Sequence, residues 1–179
     1  VGVFLVIRLV LGGDKSGKSA HAMELFLAAA PPRRMAAMGR ALDFDFRAQI
    51  EAHRQARPPE IPVTEPGLEL PRFFAAEHPH GGAILVDSLD FWLFACAGED
   101  VMDSKVRELL DVLAGYARPD APEAVLVSVE AGLGPLAADA ASRTFLRRLA
   151  ALNQAVAALA ADVRLVVAGL PVRLKGAAI

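Results

Sequence analysis

Residues Gly12-Gly13-Asp14-Lys15-Ser16-Gly17-Lys18-Ser19 match the phosphate-binding loop pattern G-x-x-x-x-G-K-[ST] at every fixed position. Small residues let consecutive backbone N–H groups curl around the phosphates of a nucleotide, and a following helix adds the positive end of its dipole. In this arrangement Lys18 reaches the β- and γ-phosphates and the Ser19 hydroxyl ligates Mg²⁺. Such a loop needs a buried strand before it and a helix after it. The apolar run at residues 1–11 reads as that strand, and residues 20–30 read as that helix. A glycine-rich strand-to-helix turn that binds nothing is the competing reading, and the flanking elements speak against it. Gly12, Gly13, Asp14, Lys15, Ser16, Gly17, Lys18 and Ser19 are therefore the expected nucleotide-binding residues.

A chain of 179 residues is long enough for one well-buried α/β domain and short for two. Its 54% hydrophobic content and mean hydropathy of +0.37 are high for a soluble protein, which suggests apolar surface buried between subunits. The net charge of −2 provides no general attraction to nucleic acid or anionic membrane, so a polyanion must be held by a local site. A single cysteine, Cys96, allows no intrachain disulfide, and no Cys/His cluster has zinc spacing. Both facts fit a reducing cytoplasm. The run at residues 1–11 is interrupted by Arg8 and leads directly into the loop, so it reads as a core strand and not as a signal peptide or membrane helix, which needs about 20 apolar residues.

Along the chain, Pro31-Pro32 ends the first helix because proline lacks the N–H a helix requires. Residues 35–38 form a candidate second strand. Residues 43–57 read as a helix with Asp43 as N-cap and Pro58-Pro59 as its stop. His53 sits there between an apolar face and a polar one, and by spacing alone such a histidine is more often packed or solvated than catalytic. Residues 58–71 carry five prolines and read as an irregular connection, with a short helix at 71–77.

The apolar strand at 83–87 ends in Asp87, the pattern of a strand-tip acid that holds Mg²⁺ or its water. The aromatic run after Ser88 includes Trp92, for which a core or subunit contact is favoured over a ligand pocket. A helix at 102–116 and a strand at 123–128 follow. Glu130 then lies with two glycines at a strand's carboxyl end, where open α/β sheets carry ligands. It either orients or deprotonates an attacking hydroxyl or is an exposed turn acid.

The longest helix, 140–161, has one apolar stripe of Phe145, Leu149, Leu152, Val156 and Leu159. Arg143, Arg147 and Arg148 near its start suggest an anion-facing role for at least one of them. A last strand at 163–168 precedes Gly169 and a Lys175-containing tail. Alternating strands and helices predict a mostly parallel sheet with helices on both faces.

Several separated pieces together resemble one family, the bifunctional adenosylcobinamide kinase/adenosylcobinamide-phosphate guanylyltransferases of cobalamin biosynthesis. These are Gly12-Gly-x-x-Ser-Gly-Lys-Ser19, Ile50-x-x-His53-x-x-x-Arg57, Leu85-Val-Asp-Ser-Leu-x-x-Trp-Leu93 and Val127-Ser-x-Glu-x-Gly132. Arg143-x-Phe145, Leu152-Asn-Gln154, Ala161-Asp162 and Leu165-Val-Val-Ala-Gly-Leu-Pro171 follow in the family's order.

The resemblance implies a P-loop NTPase-like (RecA-like) fold and two reactions. First, a nucleoside triphosphate, ATP or GTP, held at Lys18 and Ser19 with Mg²⁺ phosphorylates the aminopropanol arm of adenosylcobinamide. Second, GTP loses pyrophosphate while its GMP is carried on a histidine, here His53, before transfer to the new phosphate. A neutral imidazole is a competent nucleophile near neutral pH. The resemblance also implies a homo-oligomer, a trimer. The chain departs from the family's usual residues at Lys15, Met38, Asp45, Gln49, Asp90, Ala95 and Val129. The changes at Gln49 and Val129 leave open two other readings: a relative that keeps one half-reaction, and a nucleotide-binding module without catalysis.

Overall fold

The computed structural model describes residues 7–38, 59–116, 121–134 and 137–176. Its elements are β1 (Ile7–Gly12), α1 (Lys18–Ala28), β2 (Arg33–Ala37), β3 (Val63–Thr64), α2 (Leu70–Glu77), β4 (Ala83–Asp87) and α3 (Leu89–Gly98). They continue with α4 (Met102–Gly115), β5 (Glu123–Val129), α5 (Ala140–Leu159), β6 (Asp162–Val167) and β7 (Leu170–Lys175), with 3₁₀ turns at Gly67–Glu69 and His78–His80.

The strands form one seven-stranded sheet in the order β3-β2-β4-β5-β1-β6-β7. All neighbours are parallel except β6 and β7. Side chains alternate across a strand, and β1 shows the result. Ile7, Leu9 and Leu11 join a core with Leu70, Phe74, Trp92, Leu93, Leu109, Leu149 and Val156, which come from α2 to α5. Val10 instead packs beneath α1 with Ala22, Phe26, Leu85, Val125 and Val127. Helices therefore cover both faces, as expected for parallel strands buried on both sides.

The large side chains settle the inner geometry. Trp92 is fully buried and donates its indole N–H to the Leu68 carbonyl at 3.4 Å, so it is a core residue. Tyr116 is also fully buried and donates its hydroxyl to the Phe74 carbonyl at 2.8 Å. Helix α5 starts where the Asp139 carboxylate accepts the Ser142 backbone N–H at 2.8 Å, a side-chain cap.

Several boundaries differ from the sequence expectations. Helix α1 begins at Lys18 rather than Ala20, because the end of the phosphate loop forms its first turn. Strand β2 begins at Arg33 rather than Met35. Parallel pairing with β4 takes in both arginines, and their side chains find partners: Arg33 Nε donates to the Ala29 carbonyl and Arg34 pairs with Glu77 at 2.8 Å. The described part of the expected irregular connection, residues 59–69, contains the two-residue strand β3 and a 3₁₀ turn, and helix α2 begins at Leu70, one residue before the expected start.

The aromatic run after Ser88 is helix α3, which buries Leu89, Trp92, Leu93 and Cys96 and leaves Phe94 exposed. Residues 170–175 are no tail but the antiparallel strand β7. Ala168 and Gly169, with φ of 52° and 79°, make the tight left-handed turn that returns it along β6.

Candidate functional site: a phosphate loop beside a strand-tip carboxylate

The loop lies at the carboxyl end of β1, between the ends of β5 and β6, with Gly12 opposite both Val129 and Val166. Ligands of open α/β sheets bind outside this edge. Two glycines there are required by contact and conformation. A Cβ on Gly12 would lie 2.3 Å from Ser16 Oγ and 2.9 Å from the Val166 carbonyl. Gly17 has a φ of 93°, and a Cβ on it would lie 3.1 Å from Gly169 Cα. The β6–β7 turn braces the loop from that side, with the Gly169 N–H donating to the Ser16 carbonyl at 2.8 Å.

Gly13, Asp14 and Lys15 are exposed at the crest of the loop, open to a ligand. Lys18 Nζ donates to the Gly13 carbonyl at 3.1 Å, folding the ammonium over the loop where a phosphate would sit.

Ser19 Oγ donates to Asp87 Oδ1 at 3.3 Å, joining the start of α1 to the tip of β4 across 68 residues of chain. The Met38 N–H donates to the Asp87 carbonyl at 3.1 Å, so the end of the β2 segment also reaches this tip. The Ser19 hydroxyl and the Asp87 carboxylate are hard oxygen donors of the kind Mg²⁺ takes. Among the described residues no group of three His, Cys, Asp or Glu side chains forms a metal cage. Two protein oxygens fit an ion that keeps water and phosphate as its other ligands.

Asp90, in the first turn of α3, belongs to the same cluster. Burial pushes its carboxyl up from the ordinary value, and the nearby Asp87 charge adds to this; the Ser88 hydroxyl, a backbone hydrogen bond and the Lys18 ammonium pull the other way. Its Oδ1 is buried without a hydrogen-bond partner among the described residues. Asp90 was assigned no site role from the sequence, although its place three residues after a strand-tip acid puts it in the first turn of the next helix.

Glu130 adjoins the loop through its backbone N–H, which donates to the Gly12 carbonyl at 3.1 Å. One of its carboxylate oxygens accepts the Gly132 N–H at 2.9 Å, closing the turn after β5. Glu130 is thus a turn acid whose backbone adjoins the start of the phosphate loop. The helix assigned to 43–57, and His53 with it, lies outside the described residues. The three arginines of α5 separate. Arg148 pairs with Asp103, and Arg143 Nη1 donates to the Ala137 and Ala138 carbonyls at 3.0 and 2.7 Å. Arg147 donates only to Thr144 Oγ1, at 3.1 Å, among the bonds described.

Comparisons with known proteins agree with this geometry. Among solved structures, an ATPase from the type III secretion system of pathogenic bacteria shares the fold at a TM-score of 0.55 and 14% identity. It covers 92% of this chain, and the chain spans 51% of that protein. The bifunctional adenosylcobalamin biosynthesis protein CobP of Pseudomonas aeruginosa is 33% identical over 171 residues, covering 94% of this chain and 96% of the relative. The bifunctional adenosylcobalamin biosynthesis protein CobU of Salmonella typhimurium is 30% identical over 179 residues, covering 93% and 98%. A family model described as cobinamide kinase / cobinamide phosphate guanyltransferase matches residues 8–174, from β1 to β7, and the chain belongs to that family.

Proposed function

We propose that this protein phosphorylates adenosylcobinamide with a nucleoside triphosphate and then transfers GMP from GTP to the new phosphate, giving adenosylcobinamide-GDP. The observation that carries the reading is the Ser19–Asp87 contact at 3.3 Å beneath a complete phosphate loop, in a chain of this family. In the first reaction the acceptor hydroxyl oxygen bonds to the γ-phosphorus while the bond to the β,γ-bridging oxygen breaks, and the nucleoside diphosphate leaves with that electron pair. The loop N–H groups and Lys18 bind and orient the phosphates. Ser19 and Asp87 hold Mg²⁺, which when bound offsets the charge that builds on the phosphate oxygens. Glu130, beside Gly12, orients the acceptor hydroxyl and takes its proton.

In the second reaction a neutral His53 imidazole nitrogen attacks the α-phosphorus of GTP and pyrophosphate leaves. A phosphate oxygen of the phosphorylated acceptor then displaces the histidine, breaking the P–N bond and forming a pyrophosphate linkage. His53 comes to this role through the family resemblance.

We read the whole chain as one nucleotide-binding domain, because strands from both halves interleave in one sheet. We place it in the cytoplasm, where its nucleotides are, and as a homo-oligomer. Leu170, Val172 and Leu174 on edge strand β7 are exposed and would be covered by another copy.

Two labels test the reading. With Mg²⁺ and α-labelled GTP, the wild type should form an acid-labile adduct that His53→Ala lacks. With γ-labelled ATP or GTP, label should move to adenosylcobinamide. No adduct on the wild type sinks His53 as carrier, and loss of one transfer alone leaves a single half-reaction. Nucleotide binding with neither transfer leaves a binding module.

A further inference from the structure

The phosphate loop and the helix it opens are held at two points from the side of β6. The Gly169 N–H, in the turn after β6, donates to the Ser16 carbonyl at 2.8 Å, and Arg164 Nη1 on β6 donates to His21 Nε2 at 3.1 Å. Residues 16 and 21 bracket Lys18 and Ser19, the pair assigned above to the phosphates and Mg²⁺. The His21 backbone N–H also donates to the Gly17 carbonyl at 3.0 Å. The residue that Arg164 holds is therefore the one that closes the first turn of α1.

Arg164 is itself anchored. It lies opposite Val10 of β1, which packs beneath α1, so its side chain rises on the α1 face of the sheet. Its Nε donates to Asp162 Oδ2 at 2.9 Å, its Nη2 lies 2.8 Å from the same oxygen, and Asp162 is only 1% exposed. That leaves Nη1 for His21. A guanidinium only donates, so His21 Nε2 accepts, and the ring proton sits on Nδ1, where Glu24 Oε2 lies at 3.3 Å. Both ring nitrogens are thus engaged, and the imidazole holds the helix rather than reacting. Burying these charges costs desolvation that apolar residues of similar size would not incur. What they add is direction, because a planar guanidinium fixed at two nitrogens presents the third along one line.

We propose that His21 is a positioning residue for nucleotide binding: the Asp162–Arg164–His21 chain fixes the first turn of α1 so that Lys18 and Ser19 meet the phosphates in register. The inference rests on the nucleotide reading of the loop above and not on which acceptor takes the phosphate. Bonds from opposite sides bear on this one turn, since Ser19 Oγ reaches Asp87 on β4 while His21 reaches Arg164 on β6. Without the Arg164 bond, side-chain bonds among the described residues hold the turn from the β4 side alone. A displacement of about 1 Å in a phosphate-binding group is enough to weaken its action up to about 100-fold.

Equilibrium binding tests this apart from turnover. A fluorescent GTP analogue is titrated, with Mg²⁺ present, into the wild type, His21→Leu, His21→Asn and His21→Gln, and thermal midpoints are recorded without nucleotide. Leucine fills the space of the ring with no acceptor, asparagine carries an amide too short to reach the place of Nε2, and glutamine puts an amide oxygen there. All three keep the Asp162–Arg164 pair. The expected Kd is at least fivefold above that of the wild type in His21→Leu and His21→Asn and within twofold of it in His21→Gln. His21→Asn decides the matter if His21→Leu does not fold. Unchanged affinity in His21→Asn, whatever its thermal midpoint, overturns the proposal and leaves His21 a packing residue. Equal loss of affinity in all three variants also overturns it, because the acceptor for Arg164 is then not what matters. If the wild type binds no GTP analogue, the nucleotide reading fails and this inference with it. If the expected pattern is found and no phosphate reaches adenosylcobinamide, the positioning role stands and the kinase reading alone fails.

Discussion

Ser19 Oγ and Asp87 Oδ1 meet at 3.3 Å, although 68 residues separate them in the chain. The contact brings together two hard oxygen donors of the kind Mg²⁺ takes, one from the first turn of α1 and one from the tip of β4. Asp87→Asn keeps the shape and removes the charge. Nucleotide turnover should fall about 10–100-fold, the usual cost of losing a metal-supporting partner. The thermal midpoint should stay close to that of the wild type. Steady-state rates at several Mg²⁺ concentrations check this, and an unchanged Mg²⁺ dependence counts against Asp87 as a metal partner.

Gly17→Ala tests the loop backbone. At a φ of 93° an alanine meets backbone strain of roughly 1–2 kcal/mol, and its Cβ would lie 3.1 Å from Gly169 Cα. The loop and the β6–β7 turn must then separate. The expected outcome is a lower thermal midpoint together with weakened binding of a fluorescent GTP analogue. Gly67→Ala is a useful comparison, since it has a φ of 57° but nothing within 4 Å of the added carbon, and it should leave nucleotide binding unchanged.

Asp90 links pH to stability. Its carboxyl is raised from 3.8, chiefly by burial, so the folded state holds a proton that the unfolded chain releases first. The fold therefore loses stability as pH rises from the ordinary carboxylate value through the raised one. Asp90→Asn stays neutral throughout. It should be more stable than the wild type at pH 7, with the difference shrinking toward pH 4. Urea unfolding at both pH values measures this, and a variant less stable than the wild type at pH 7 contradicts it.

Tyr116 and Trp92 report on the helix-covered face. Tyr116→Phe removes the 2.8 Å bond to the Phe74 carbonyl, which also accepts a helical N–H, so about 1 kcal/mol should be lost. Trp92→Ala empties a fully buried site and should cost about 3–5 kcal/mol. Denaturant midpoints rank the two, and a Trp92→Ala cost below that of Tyr116→Phe contradicts the packing described.

The phosphate loop was legible because its chemistry is contiguous: the strand, the glycines, Lys18, Ser19 and the helix follow one another within a few turns of chain. Asp87 was legible for a similar reason, as an acid ending an apolar run. The parallel sheet followed from the alternation of strands and helices. Strand β7 was missed because its alternating exposed Leu170, Val172 and Leu174 pair only through an Ala168-Gly169 turn, and a short polar-flanked tail carries no burial signal. The start of β2 at Arg33 was missed because pairing with β4 overrides the poor strand propensity of Arg33-Arg34.

By itself the sequence determined the phosphate-loop pattern at residues 12–19 and the likeness to one enzyme family, because backbone N–H groups, a lysine and a hydroxyl at fixed local spacing suffice to define that pattern. Only the tertiary structure decided what surrounds it. The pairing of Ser19 with Asp87, the burial of Asp90 beside Lys18 and the bond from Asn153 Nδ2 to the Val129 carbonyl all depend on strands and helices distant in sequence being packed together. Burial and proximity are properties of that packing, and no local run of residues carries them.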